Sequence, residues 1–407
     1  MHVKALKCIS CSTEYAYGKL FSCDKCHEFL EVVYDMNAIA EALGKSKFGS
    51  GNTLVEKYSM LLPVRGNSLP VSLGEGSTPL LASDRLAQAT GLKRLFLKDE
   101  TRNPTGTFKD RSVSVGVTIA KENNVKEVST ASTGNAGASL AAYSAKAGLK
   151  CRIIIPATAS PTKLIQALAY GATVIPIDGS VDAALRLLRE AYDAWGWYPI
   201  PTSGPVNPYQ AEGAKTIAYE ISSQMKDQSP DWVLYPICGG DNIAANWKGF
   251  RELEELDMAE RLPRLIGVQA SACASLIEPF QESHERIKTI SNPQTIASSI
   301  CIEYPPTGLA ALRAIKASNG VAISVTDEDM LAAQRLLASR EGIFAEPASA
   351  SVVAGLEHLV EEGVIASDDV VVCVITGTGL KETQVLRSKY AVPPSVAATK
   401  EGVASAA

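Results

Sequence analysis

From about residue 70 the chain switches repeatedly between two rhythms. Short apolar runs such as "RLFLK" (94–98), "EVSTAS" (127–132), "CRIIIP" (151–156), "TVIPI" (173–177), "DWVLYPI" (231–237) and "VVVCVIT" (370–376) read as buried strands, and "RLIGVQA" (264–270) follows the same pattern. Between them lie stretches whose apolar positions recur every three or four residues, the spacing of one helix face. They include "FKDRSVSVGVTIAKEN", "NAGASLAAYSAKAG", "SPTKLIQALAYG", "SVDAALRLLREAYDAW", "DEDMLAAQRLLASREG" and "SASVVAGLEHLVEEG". Apolar strands alternating with amphipathic helices predict an α/β fold, a mostly parallel sheet covered on both faces. The tail "KYAVPPSVAATKEGVASAA" is small, polar and broken by proline, and reads as a mobile end.

Residues 1–35 follow another pattern. Cys8 and Cys11 form one CxxC pair, Cys23 and Cys26 a second, with eleven residues between the pairs. Four thiolates so spaced can close a tetrahedral structural zinc site, and the alternation in "EYAYGKLFSC" and "EFLEVVYD" suggests the short strands of a zinc ribbon. Four free thiols left in an ancestral ribbon are the other reading. The pattern disfavours a catalytic zinc, because four cysteines leave it no open position.

Composition narrows the function. The chain has 407 residues, enough for more than one domain, and a net charge of -5 with no basic stripe, which argues against nucleic acid. No apolar run is long enough to span a bilayer, and the first residues lack a signal-peptide core, so a cytoplasmic protein is expected. Cys151, Cys238, Cys273, Cys301 and Cys373 are scattered in or beside apolar stretches, as in a reducing compartment. The four histidines, His2, His27, His284 and His358, are poorly placed for a Ser-His-Asp or Cys-His mechanism. Another group must move protons.

Ligands of open α/β sheets bind at the carboxyl ends of strands. Four such loops are rich in small and hydroxyl residues: "NPTGTFKD", "STASTGNAG", "PICGGDN" and "ITGTGLK". A crevice lined by all four offers many backbone N–H groups and suits a flat anionic ligand. In the first loop, Thr107 with Asp110 resembles a capping box that starts a helix. Lys109 then lies at the positive helix end, which disfavours an ammonium and favours a nucleophilic amine able to form a Schiff base; an ordinary surface lysine paired with Asp110 is the other reading, and the loop alone favours it. In the third, the Cys238-Gly239-Gly240-Asp241-Asn242 turn opens a helix whose first amides can hold a phosphate. No P-loop or dinucleotide fingerprint occurs.

Taken together, "NPTGTFKDRS", "STGNAGAS", "NPYQAEGAKT", "GGDNIAANWKGF", "GIFAEPASA" and "VVCVITGTGLKE" resemble, in order and spacing, the threonine synthases. These are fold-type II (tryptophan synthase β-like) enzymes that use pyridoxal 5′-phosphate (PLP). The resemblance covers roughly residues 70–385, and the CxxC-bearing N-terminus resembles one found in some threonine synthases. It implies two three-layer α/β/α domains: a large PLP-binding domain of residues 36–110 and 205–385, and a small mobile domain of residues 111–204. The zinc-ribbon-like unit (1–35) and a flexible tail (386–407) would complete the chain. It implies a carbon–oxygen lyase, usually a homodimer, acting on a small amino-acid substrate.

Residue by residue, the resemblance has Lys109 hold PLP as a Schiff base and then shuttle protons. Asn135 would meet the cofactor 3′-hydroxyl, residues 238–242 the cofactor phosphate, and Thr376 the pyridine nitrogen. Phe108 would pack near the cofactor. Ser132 and Thr133 would face the substrate carboxylate. Asp110 and Arg111 would fix the helix, and Glu346 would be a helix-start acid. Departures concentrate where phosphates and substrate bind. Gln210 stands where the family's "NPxRxEG" segment carries an arginine, the residues just before are Gly204 and Pro205, and Thr378 replaces a histidine. "CGGDN" replaces "GNAGN", bringing the charge of Asp241 near an anion. Glutamine cannot replace a bidentate arginine, so Lys215, Lys248 and Lys381 become candidate cations for the substrate phosphate. Two activities are therefore expected in competition. One converts O-phospho-L-homoserine and water to threonine and phosphate. The other is an elimination or replacement on a different amino acid, as in a serine/threonine ammonia-lyase.

Overall fold

The structure is a computed structural model, and it describes residues 1–406 except 19, 45–47, 49, 50, 67, 133, 158–160, 227 and 387–392. Thirteen strands are described, numbered in chain order. The N-terminal unit supplies β1 (Val3–Cys8), β2 (Glu14–Tyr15) and β3 (Leu30–Tyr34). Then come β4 (Leu80–Ala82), β5 (Arg94–Asp99), β6 (Glu127–Thr130), β7 (Lys150–Pro156), β8 (Thr173–Ile177) and β9 (Tyr198–Pro199). Last are β10 (Trp232–Pro236), β11 (Arg264–Ala270), β12 (Val321–Val325) and β13 (Val370–Ile375).

They form three sheets. The largest runs β12-β11-β10-β13-β5-β4, parallel except for the antiparallel β4 edge. A smaller parallel sheet runs β8-β7-β6-β9, and the N-terminal sheet runs β2-β1-β3, antiparallel. The centre of the large sheet is buried on both faces. In β13, Val371, Cys373 and Ile375 join one apolar cluster and Val370, Val372 and Val374 another. That is strand alternation with a core on each side. Helices Asp327–Glu341 and Pro347–Glu361 cover the first face. Helices Thr216–Met225, Asp241–Glu255 and Gly308–Ala317 cover the second.

Two sequence expectations change here. β1 and the edge strands β4, β9 and β12 were not read, because short strands at an edge or termini carry little periodicity. The capping box at Thr107 does not form. Thr107 is instead fixed in an antiparallel bridge to Gly377, and the Asp110 carboxylate turns to Thr105 and Ser139.

The N-terminal unit is not detached from the rest. Leu6, Leu30 and Val32 share one apolar cluster with Val113, Leu140 and Ile153. Lys248 Nζ donates to the Val32 carbonyl, Tyr34 Oη donates to Glu212 at 2.9 Å, and Arg313 Nη1 donates to the Ile9 carbonyl at 2.7 Å. Beyond residue 392 the tail is exposed, with one short helix at Lys400–Ala404.

Candidate active site

The loops after β5, β6, β10 and β13 meet in a cleft of about 1060 Å³ between the large and small sheets. Its walls include Phe108, Lys109, Ser132, Asn135, Thr376 and all of residues 238–242. Thr133 lies outside the described residues. The cleft thus brings together, from four separated segments, nearly every residue singled out for cofactor or substrate.

Backbone hydrogen bonds set this juxtaposition. Phe108 N donates to Thr376 O at 3.0 Å, and Thr378 N to Gly106 O at 2.9 Å, on either side of the Thr107–Gly377 bridge. The loop after β5 is thereby zipped to the loop after β13, which places Lys109 beside Thr376. Gly106 has φ +75°, and a Cβ there would lie 2.6 Å from the Thr378 methyl, so only glycine fits. Lys109 starts helix Lys109–Glu122, and its Nζ lies 4.7 Å from the Phe108 ring centroid. The next two residues anchor that helix. Asp110 accepts from Thr105 N at 2.7 Å, Thr105 Oγ1 at 2.6 Å and Ser139 Oγ at 2.5 Å. Burial pushes its carboxyl up, against those bonds. Arg111 is fully buried between Glu100 and Glu220.

On the other walls, Thr376 Oγ1 lies 2.8 Å from Ser349 Oγ, which also accepts from Gly377 N at 2.8 Å. Asn135 opens helix Asn135–Ala147; its Oδ1 accepts from Lys381 Nζ at 2.9 Å and its Nδ2 donates to Glu346 at 3.0 and 3.2 Å. Ser132 turns its Oγ toward Gly134 N at 3.4 Å. Burial pushes the Cys238 thiol up to about 11.

The turn at 239–240 has the shape of an anion cradle. Gly240 has φ +92°, and a Cβ there would lie 2.7 Å from Thr307 O. Helix Asp241–Glu255 begins at once, with its free N–H groups at the cleft. Asn242 Nδ2 is buried and finds no acceptor among the described residues, an orphaned donor of the kind a bound anion would satisfy. Asp241 also lines the cleft, and its carboxylate is met by fixed donors. Its Oδ1 accepts from Gly204 N at 2.6 Å and Thr307 Oγ1 at 2.8 Å, and burial raises its carboxyl.

Gln210 does not line the cleft. It is fully buried; its Oε1 accepts from Thr202 N at 3.0 Å and its Nε2 donates to Ser203 O at 3.3 Å. Lys215 is committed to Glu212 at 2.6 Å and Glu252 at 2.9 Å, and Lys248 to Glu212 at 2.7 Å. Of the three candidate lysines, only Lys381 lines the cleft. Sequence reasoning missed the cleft position of Glu346. The signal was there in "EPASA": an acid just before a proline-led helix, adjoining small residues that leave it room.

Apart from the cleft, the sulfurs of Cys8, Cys11, Cys23 and Cys26 all lie within 4.8 Å of one another. Separations of 3.3 to 3.6 Å across this cluster are near the spacing of about 3.8 Å that tetrahedral zinc–sulfur bonds require.

A cleft at strand carboxyl ends, with a lysine at one helix start and a glycine cradle at another, defines a cofactor-dependent α/β enzyme. The family model for "Pyridoxal-phosphate dependent enzyme" matches residues 71–377, and the chain belongs to that family. Within it, the chain groups with the threonine synthases. It is 43% identical to the threonine synthase of Methanocaldococcus jannaschii over 92% of each chain. It is 42% identical to that of Methanosarcina acetivorans over 98% of each. Among solved structures it resembles maize serine racemase (TM-score 0.65, 21% identity, 77% of this chain and 91% of that one). It also resembles an O-ureido-L-serine synthase (TM-score 0.66, 19% identity, 81% and 97%). These likenesses show the fold-type II architecture.

Proposed function

We propose that the chain converts O-phospho-L-homoserine and water to L-threonine and phosphate, with PLP in the 1060 Å³ cleft. The observation that carries this reading is the zipped pair of loops that sets Lys109 beside Thr376, facing a glycine cradle with an unsatisfied amide. Residues 71–377 carry the family match, and the 40–43% identical relatives are threonine synthases. When bound, PLP supplies an electron sink for carbanions at the substrate.

The chain's own groups do the rest. Lys109 Nζ anchors the cofactor and moves protons at the substrate carbons. Residues 239–242 hold the cofactor phosphate on backbone amides and the positive helix end. The Thr376 hydroxyl meets the pyridine nitrogen without charge, which suits elimination and replacement better than transamination. Asn135 donates to the 3′-hydroxyl oxygen. Ser132 and Thr133 take the substrate carboxylate, and Lys381 takes the substrate phosphate. The competing reading, a different amino-acid substrate, drew on Gln210 and Thr378. Neither lines the cleft: Gln210 is turned to the 202–203 backbone and Thr378 to the 106 loop, and the 40–43% identical relatives favour the threonine synthase reading.

The proposal includes zinc held by Cys8, Cys11, Cys23 and Cys26, where four thiolates make a structural site. It also includes a cytoplasmic homodimer, and a small domain of residues 111–204 that closes over substrate and excludes water. Among the described residues no helix is long and apolar enough to cross a membrane.

The test mixes the chain, PLP and O-phospho-L-homoserine and measures phosphate and threonine together. Both form, and Lys109→Ala abolishes both while leaving the fold intact by circular dichroism. Bound cofactor with neither product overturns the substrate assignment.

A further inference from the structure

The cleft contains a carboxylate that the reading above leaves unused. Glu346 lines the cleft although it is only 3% exposed. A Cβ on Gly377 would lie 2.8 Å from Glu346 Oε1, so glycine at that position leaves room for the carboxylate against the loop after β13. Both Glu346 oxygens accept from Asn135 Nδ2, at 3.2 and 3.0 Å, and Lys381 Nζ donates to Asn135 Oδ1 at 2.9 Å.

A primary amide can usually turn over and exchange its oxygen for its nitrogen at small cost. Here it cannot. A carboxylate only accepts and an ammonium only donates, so each partner admits one end of the amide. With one N–H committed to Glu346, the other is left for the cleft. Resting on the PLP assignment above, we propose that Glu346 and Lys381 are positioning residues. Together they orient Asn135 so that an N–H meets the cofactor 3′-hydroxyl oxygen, and the charge on Glu346 tunes how tightly that oxygen holds a proton. An ionised Glu346 draws the amide hydrogen toward itself and places a negative charge near the oxygen, which disfavours its anionic form. A neutral Glu346 relaxes both effects.

The groups facing Glu346 come from three segments: Asn135 from its helix, Ser299 from the 298–300 turn, and Lys381 and Glu382 from the loop after β13. Burial first, then Glu382, push the Glu346 carboxyl up to about 7, against Asn135, Lys381 and Ser299, which lower it. The charge on Glu346 therefore changes within the range where an enzyme is assayed.

The experiment follows the absorbance of the bound cofactor, without substrate, from about pH 6 to about pH 8. Bound cofactor is quantified in parallel after filtration. The unaltered chain shows a spectral transition centred near 7, set by Glu346. Glu346→Gln keeps the cofactor and loses the transition. Lys381→Met moves the midpoint upward, because the ammonium that lowers the Glu346 carboxyl is gone. A merely structural role for Glu346 would leave the transition in place. Its persistence in Glu346→Gln, or its absence from the loaded unaltered chain, overturns the inference. If Glu346→Gln takes up no cofactor, Lys381→Met decides: an upward shift supports the inference and an unmoved midpoint overturns it. Cofactor uptake by the unaltered chain is measured first. Its failure overturns the PLP assignment and this inference together, whereas uptake with a pH-independent spectrum overturns this inference alone.

Discussion

Replacing Arg111 by alanine tests how the lysine-bearing helix is held. Arg111 is wholly buried, and its guanidinium reaches two carboxylates at once. Nε and Nη2 donate to Glu100 at 2.7 and 2.8 Å; Nη1 and Nη2 donate to Glu220 at 2.8 and 2.7 Å. Thr216 and Thr78 complete the six bonds at 3.0 Å each. Lys98 Nζ adds a second cation on Glu220 at 2.7 Å, so the cluster of two acids and two bases is neutral. Arg111→Ala leaves it with one excess buried negative charge and a cavity. Breaking a buried pair from one side costs about 3–5 kcal/mol, far more than a surface pair. Arg111→Lys keeps the charge but cannot span both carboxylates with a planar fork, so its loss is smaller, about 1–3 kcal/mol. The assay is urea unfolding followed by the fluorescence of the four tryptophans. A loss under about 1 kcal/mol for Arg111→Ala, or equal losses for the two variants, refutes the reasoning.

Burial raises the Glu220 carboxyl, but Arg111 and then Lys98 outweigh it and hold the group well below the usual glutamate range. Its folded value is depressed, so its contribution is present above about pH 4.3 and fades as the pH falls below that. The stability gap between the unaltered chain and Arg111→Ala therefore narrows in acid, measurable as urea midpoints at about pH 7 and about pH 4. Gly240→Ala forces a side chain into φ +92° and against Thr307 O, and it weakens PLP uptake about tenfold in a fluorescence titration. Metal analysis of the purified chain finds about one zinc per chain, and Cys23→Ser removes it and lowers the thermal midpoint.

The strand-and-helix alternation of the central chain was legible because both faces of the large sheet are buried, which turns β10, β11 and β13 into continuous apolar runs. The loops after β5, β6, β10 and β13 were legible for a different reason: small and hydroxyl residues there have no core role. β12 was missed because its burial is only partial, and its pattern merges with the helix that follows. Side-chain pairing was least legible. Nothing in "NPYQAEGAKT" shows that Gln210 turns to its own upstream loop, or that Lys215 meets Glu252, thirty-seven residues away. Glu346 was legible as a helix-start acid, but its pairing with Asn135, 211 residues earlier, was not.

The seating of the cysteine unit bears on how the chain is made. Its strands leave the ribosome well before the partners they bond: Glu212 for Tyr34, Lys248 for Val32, Arg313 for Ile9. At the pace of synthesis, roughly tens of seconds separate the two. During that interval Leu6, Leu30 and Val32 lack part of the wall they pack against, since Tyr219 and Leu253 of the same cluster are still to come. Four sulfurs drawn around a metal would hold the nascent strands in register until that wall is complete. The cluster's value would then lie in the order of assembly as much as in the finished enzyme, and a cell short of zinc would lose yield before it lost activity per molecule.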